Sequence, residues 1–424
     1  MRPNQVIEIN NSAEGIMKKL IYLDNAATSF PKPPQVMEAM IHFITKVGAN
    51  PGRAGHTLAK KAEQIVQHAR ESIAQLFNIP DTQRIVFTMN VTESINTVLY
   101  GFLNDGDHVV TTAMEHNAVI RPLKHLEGKG AIDLSIVRCD HQGLLDMDAL
   151  KKAIKKKTAL VVINHASNVC GTIQDIRGVK NIIGDIPLLV DTAQTAGCYP
   201  IDIIKDGIDF LTFTGHKGLM GPQGTGGLYI REGLTIRPLK RGGTGSVSES
   251  FEQPDFLPDA MESGTQNNVG IAGLGAGVDF ILETGVETIR LHEQLLTSTL
   301  LNAFRHLPGV TVYGPLNAEK QTATISLTFD SILPDGADQT LGGCGAINLA
   351  WMDEGVHPNK AGSILNEEFD ILVRVGLHCA PLAHKTLGTF PEGSVRLGMG
   401  YFNTLEEIEV IAGAIKKIAE GNLQ

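Results

Sequence analysis

The sequence predicts an α/β fold in which a large domain, built on a mostly parallel sheet with helices on both faces, precedes a smaller α+β domain. Three observations predict it. Unbroken apolar runs recur at Arg84-Ile85-Val86-Phe87-Thr88, Val109-Val110-Thr111-Thr112, Ala159-Leu160-Val161-Val162-Ile163 and Leu188-Leu189-Val190. Segments of helical pattern separate these runs, and a strand apolar on both sides needs cover on both faces, as in a parallel sheet. Beyond Leu307 the pattern changes to shorter strands followed by helices. A helix expected from Ile281 to Leu307 carries the boundary between a large domain, residues 21–285, and a small one, residues 286–424. A chain of 424 residues is long enough for two or three cores.

Each element has a local reason. Residues 1–20 read as an extension, and the segment from Met1 to Asn10 lacks the apolar centre of a signal peptide. Ala62, Ile65, Val66, Ala69, Ile73 and Leu76 recur at helical spacing and predict an amphipathic helix between residues 59 and 77. Thr92 and Glu93 open a helix through Ile95, Val98 and Leu99. The densest basic cluster, Lys151-Lys152 and Lys155-Lys156-Lys157, is expected on a solvated helix face with Ala153 and Ile154. Ile208 to Phe213 is a further strand, and Gly221-Pro222-Gln223-Gly224-Thr225-Gly226-Gly227 reads as a glycine-rich turn. Val310–Tyr313 and Thr324–Phe329 are strands of the small domain. Asn403-Thr404 offers a cap for a last helix, Leu405 to Ala419, with Glu406 and Glu407 in its first turn.

Composition narrows the function. With 42% hydrophobic and 19% charged residues, the chain reads as an ordinary globular protein. No run of about 18 apolar residues offers a membrane span. The formal net charge is −10 and the basic residues are scattered, which argues against nucleic-acid binding. The five cysteines, at 139, 170, 198, 344 and 379, include no C-x-x-C pair, and adjacent His378-Cys379 is the wrong spacing for zinc, so no metal site is expected. This dispersed, odd-numbered set fits a reduced, cytoplasmic setting. No G-x-G-x-x-G follows a first strand, which disfavours nicotinamide binding.

Polar residues gather just after the strands, where an open α/β sheet places its ligand site. Lys217, in Thr214-Gly215-His216-Lys217, follows one strand, and Asp191 ends another. Pyridoxal phosphate needs such a pair: an amine for its Schiff base and a carboxylate for its ring nitrogen. The alternatives are a surface lysine in a turn and an aspartate capping a helix. Gln194 could bond the ring hydroxyl. Thr92, Thr214 and His216 are candidates for the phosphate, although a threonine at a helix start is often only a cap. His116 could stack on the ring and move protons, or be an ordinary polar histidine. Cys379 is either a small buried apolar residue or, flanked by Arg374 and His378, a thiol activated by nearby positive charge. Arg396 is a candidate bidentate clamp for a substrate carboxylate, or a strand-edge arginine. The other four cysteines lack such surroundings.

At these residues the chain resembles the class V, fold-type I pyridoxal-phosphate enzymes, specifically the cysteine desulfurase/selenocysteine lyase family. The matches begin at Tyr22-Leu23-Asp24-Asn25-Ala26-Ala27-Thr28-Ser29 and continue through Asn50-Pro51-Gly52-Arg53-Ala54-Gly55-His56. Glu115-His116, Ser167-Asn168-Val169-x-Gly171-Thr172, Asp191-x-x-Gln194, Gly215-His216-Lys217 and Gly221-Pro222-x-Gly224 follow in family order. Glu262-x-Gly264-Thr265, Arg374-x-Gly376-x-His378-Cys379 and Tyr401-Phe402-Asn403-Thr404 close the series. The resemblance implies a seven-stranded sheet, an N-terminal arm (residues 21–35) packed with the small domain, and a homodimer. It places Thr265 at the phosphate of the partner subunit, Asn168 at cofactor and substrate, and Asn25, Ala27, His56, Arg374 and Arg396 at the substrate. It implies that Lys217 removes the Cα proton of L-cysteine, that Cys379 takes the sulfur as a persulfide, and that alanine is left, with a sulfur-acceptor protein as a further partner.

The chain departs from the family in four places. Met89-Asn90 stands where Gly-Thr is usual, Asn117 follows His116 in place of a second histidine, and Leu397-Gly398-Met399 follows Arg396 in place of Ala-Ser. A stretch near residues 333–353, with Cys344 and Trp351, lengthens a connection that is normally short, and is expected to cover the site entrance or meet the partner subunit. These departures leave three other readings: a selenocysteine lyase or other C–S lyase, a class V aminotransferase, and a cofactor-binding scaffold. Cys379 speaks against the aminotransferase and Lys217 against the scaffold.

Overall fold

The computed structural model describes residues 20–52, 55–330 and 355–422. Seven strands form the main sheet in the spatial order Ile85–Thr88, Gly226–Ile230, Phe210–Thr214, Leu188–Asp191, Thr158–Asn164, Asp107–Thr112 and Ile132–Val137. All run in the same direction except Gly226–Ile230, which pairs antiparallel with both neighbours. Successive side chains of the central strands enter opposite cores. Val161, Ile163, Leu211 and Phe213 pack on one face with Ile73, Phe77, Leu274 and Val278. Leu160, Val162 and Phe210 pack on the other with Ile95, Val98, Leu99 and Leu123. This two-sided burial is why the strands read as unbroken apolar runs. Burying a side chain such as Phe77, Phe210 or Phe213 contributes roughly 1.5–3 kcal/mol.

The small domain centres on an antiparallel sheet in the order Arg374–Gly376, Ser394–Gly398, Thr324–Phe329 and Val310–Tyr313. Leu296, Leu300 and Phe304 cover it together with Ile408, Ile411 and Ile415 of the last helix. That helix, Leu405–Ala419, opens with a capping box in which Thr404 and Glu407 each satisfy the other's backbone N–H. The N-terminal arm belongs to this core at its start. Ile21–Tyr22 pairs in parallel with Ile371–Leu372, and Ile21 and Leu23 are buried.

Several expectations need correction. The helix expected from Ile281 to Leu307 is two helices, Asn268–Thr284 and Val286–Phe304, bent by 81° at Gly285. Gly285 has φ +87°, a left-handed value that stops the first helix and that a side chain would resist. Gly226 and Gly227 are not turn residues but open a strand. A Cβ on Gly227 would lie 2.2 Å from the Phe213 ring, so glycine there makes room for a neighbour. Ile132–Val137 is an edge strand whose mixed exposure hid it among polar residues. The helix Met147–Ala153 ends before Lys155, and Lys157 pairs instead with Asp133 on the edge strand. Arg53 and the stretch near residues 333–353, with Cys344 and Trp351, lie outside the described residues.

Candidate active site

Because the central strands run in parallel, their C-terminal ends share one edge of the sheet. Lys217 follows Phe210–Thr214, and Asp191 ends the neighbouring strand with its partner in register at Thr212. Burial pushes the Lys217 amine down to about 8; Asp191 opposes this fall, and Arg396 and Arg374 add to it. Burial raises the Asp191 carboxyl, offset by the Ala193 N–H at 2.9 Å and by Lys217. Each group therefore acts on the other's charge. Gln194 donates to the Ala26 carbonyl at 3.0 Å.

His116 caps the helix Asn117–Gly128, its Nδ1 accepting the Ala118 N–H at 3.0 Å. Burial, then Lys217, Arg121 and Arg396, push its pKa down to about 4, so the ring is neutral near pH 7. Beneath it, Glu115 is fully buried and its carboxyl is pushed up to about 8 by that burial. Its Oε1 accepts from the Thr112 hydroxyl at 2.7 Å and from the Asn164 N–H at 3.0 Å, which ties two strand ends together.

Cys379 is the exposed cysteine among the described residues; Cys170 and Cys198 are buried and Cys139 is partly buried. Its loop is strained, with His378 at φ +48° and Cys379 at φ +57°. Two contacts pin it. Asn168 donates to the His378 carbonyl at 2.6 Å, and the Asn117 N–H donates to the Cys379 carbonyl at 2.8 Å. The loop is therefore attached to the helix that His116 caps. The His378 ring turns inward toward Ser394 (3.2 Å) and lies tilted against the His384 ring, with centroids 5.4 Å apart. Burial pushes its pKa down to about 2. His378 is thus neutral and lends no positive charge to the thiol, contrary to the expectation from its adjacency. Arg396 does lie within electrostatic reach of Cys379.

Arg396 is 3% exposed. It donates to the Asn168 carbonyl and to Asp24, both at 2.9 Å. The half-exposed Arg374 reaches the other oxygen of Asp24 at 3.3 Å. The arm thus does more than pack on the small domain. Lys32 donates to the His216 carbonyl at 2.8 Å and to Ser29 at 2.7 Å, and Ser29 donates to the Lys217 carbonyl at 2.9 Å. Burial pushes Lys32 down to about 8. Asn25 uses its side chain to hold the arm, donating to the Gly398 carbonyl at 3.0 Å and accepting the Phe30 N–H at 3.1 Å. Ala27 donates its N–H to the Asp24 carbonyl. Asp24 and Ser29 entered the sequence analysis only as members of the Tyr22–Ser29 motif, with no role of their own, and Lys32 only within the arm; local sequence gave no sign of what they would meet.

The remaining candidates are more dispersed. Thr92 is exposed in the first turn of Val91–Phe102, and Asn90, not Thr92, caps that helix through the Glu93 N–H. Thr214 is buried against the Thr225 carbonyl. Thr265 lines a different groove, with Asn50, Gly52, Arg70 and Gly245. His56 caps the helix Thr57–Phe77 and is exposed. Neither lines the cavity beside Lys217, whose walls include Asn25, Ser29, Gln194, Cys198 and Glu293. Several buried polar atoms have no protein partner: Asn168 Oδ1, His216 Nδ1 and Arg396 Nε. Arg396 Nε is a donor that fits a ligand carboxylate and His216 Nδ1 can donate to a phosphate, whereas Asn168 Oδ1 accepts and fits a donor such as an amino group.

The family model for class-V aminotransferases matches residues 21–350 and 343–411. A probable cysteine desulfurase of Methanothermobacter thermautotrophicus is 33% identical, with 95% of this chain and 96% of that protein covered. A cysteine desulfurase of Haloferax volcanii is 30% identical, covering 95% of this chain and 90% of that protein. The apo structure of a cysteine desulfurase from Thermococcus onnurineus superposes with a TM-score of 0.83 at 32% identity, covering 95% of each chain. With the sheet order and this range of matches, the chain belongs to the class-V aminotransferase family, as a divergent member of its cysteine desulfurase/NifS-like branch of fold-type I pyridoxal-phosphate enzymes.

Proposed function

We propose that the protein takes sulfur from L-cysteine or a related amino acid, with pyridoxal phosphate as cofactor, leaving L-alanine and a persulfide on Cys379. The observation that carries this reading is Cys379 itself: an exposed thiol on a strained loop, pinned to the His116 helix and to Asn168, within reach of buried Arg396. The relatives named cysteine desulfurase support it.

Lys217, Asp191 and Gln194 would hold the ring, with His116 beside it. Thr92, Thr214 and His216 would hold the phosphate, joined by Thr265 from a second copy of the chain. When bound, pyridoxal phosphate supplies an electron sink for the substrate carbon. Asp191 keeps a negative charge where the ring nitrogen needs one, an ionisation that Lys217 and the Ala193 N–H favour. Lys217, titrating near 8, can both take up and return a proton at the substrate Cα near neutral pH. Neutral His116 spends its Nδ1 lone pair on the Ala118 N–H, so its ring proton is on Nε2, from which it can be donated. Arg396 orients the carboxylate, using the Nε that has no protein partner. The Cys379 thiolate attacks the substrate sulfur; the S–S bond forms as the C–S bond breaks, and the bonding pair stays with carbon.

A homodimer is part of the proposal. Thr265 and His56 lie away from Lys217 within one chain, and a second copy could bring them to it. Exposed Met37, Ile41 and Ile44 offer apolar surface for such a contact. The test is to incubate the purified holoenzyme with cysteine, selenocysteine and cysteine sulfinate in the presence of a dithiol reductant, which reduces the persulfide and frees its outer sulfur as sulfide, and to assay alanine and the released chalcogen. Equal amounts of alanine and sulfide from cysteine support the proposal. Keto-acid formation without sulfide refutes it.

A further inference from the structure

Asp24 stands between the two arginines of the site. Its Oδ1 accepts from Arg396 Nη2 at 2.9 Å and its Oδ2 from Arg374 Nη1 at 3.3 Å. Arg396 spends Nη1 on the Asn168 carbonyl, while its buried Nε has no partner. The backbone fixes Asp24 in place. Its carbonyl accepts the N–H groups of Ala27 and Thr28, and the next N–H, from Asn25, donates to the Gly398 carbonyl at 3.0 Å. These bonds fix the Asp24 backbone, and the two arginines hold the direction of its carboxylate.

We propose that Asp24 is a specificity-determining residue that sets the charge of the pocket receiving the substrate carboxylate. Two guanidiniums and one carboxylate leave one net positive charge. An amino acid with one carboxylate and an uncharged side chain neutralises it. A second anionic group, as in cysteine sulfinate or aspartate, adds an excess negative charge close to Asp24. Around a buried guanidinium, water screens that repulsion poorly. Arg374 is 51% exposed on its side chain, so its share is more screened and Arg396 with Asp24 dominates. This inference rests on the amino-acid reading above and goes beyond it, because it names a residue that selects between substrate classes.

The experiment uses the holoenzyme and two sulfur-free probes, L-alanine and L-aspartate, titrated by the change in visible absorption. It adds kcat/KM for cysteine and for cysteine sulfinate. In Asp24→Asn, the ratio of L-alanine to L-aspartate dissociation constants should rise by about tenfold, equivalent to about 1.4 kcal/mol. The kcat/KM ratio should shift the same way toward sulfinate. Arg374→Gln removes a positive charge and the half-exposed partner of Asp24, leaving in place the Arg396 pair and the backbone bonds that hold the arm, and should shift both ratios oppositely by a smaller factor. It keeps the proposal testable if Asp24→Asn does not fold. A purely structural role for Asp24 would weaken both probes together. Ratios unchanged in both variants overturn the proposal while leaving the amino-acid reading standing. A wild-type holoenzyme that responds to no amino acid overturns both.

Discussion

Lys217 should react as a neutral amine near pH 7, and its environment sets how much. An amine titrating at about 8 is about 10% neutral at pH 7, whereas one at 10.5 is about 0.03% neutral. The difference is roughly 300-fold in the nucleophilic form. Schiff-base formation with added pyridoxal phosphate needs that form, so its rate in the apo-protein should follow the neutral fraction. The assay is the growth of visible absorbance in stopped-flow mixing between pH 6 and 10. The rate should climb about tenfold per pH unit below pH 7 and level off just above pH 8. Asp191→Asn removes the carboxylate that raises the Lys217 pKa, so the inflection should move below 8. A rate that keeps climbing through pH 10 in the wild type would refute the claim that burial activates this lysine.

Lys217→Ala should lose both the visible absorbance and all turnover, read by spectrum and by alanine release. Arg396→Ala should weaken amino-acid binding by several tens-fold, about 2–3 kcal/mol, and it leaves Asp24 without its buried partner. Glu115 gives a pH signature in stability. Its folded-state pKa of about 8 lies above the ordinary 4.5, so the stability of its neutral form is fully present below pH 4.5 and is lost as pH rises through 8. Glu115→Gln should remove that loss, so that its melting temperature relative to wild type increases between pH 5 and 9; a constant offset would mean that Glu115 is not neutral in the fold.

The placement of Lys217, Asp191, His116 and Cys379 was legible because each sits in a short local pattern at or just past the end of a strand, and parallel strands bring such ends to one edge. The central strands were legible because both of their faces are buried. What stayed hidden depends on partners far away in the chain. Asp24 meets Arg396 across 372 positions, and Lys32 meets the His216 carbonyl across 184. No spacing rule reaches that far. His378 misled for a different reason: adjacency in sequence suggested a cation beside the thiol, but the ring turns inward and burial keeps it neutral. Gly226 and Gly227 misled because glycine marks turns and also marks places where a neighbour such as Phe213 takes the side chain's space.

The central claim is that Cys379 receives sulfur from the amino acid. The direct measurement mixes wild-type and Cys379→Ala holoenzyme with L-cysteine, follows alanine, and locates any added sulfur by mass spectrometry of the digested protein. The account predicts alanine and one extra sulfur atom on the Cys379 peptide of the wild type. The variant should keep its cofactor absorbance and its reaction with cysteine sulfinate, whose sulfur can leave without a nucleophile, while its reaction with cysteine stops. Undiminished cysteine desulfuration in Cys379→Ala, or sulfur found on Cys139, Cys170 or Cys198 instead, would contradict it.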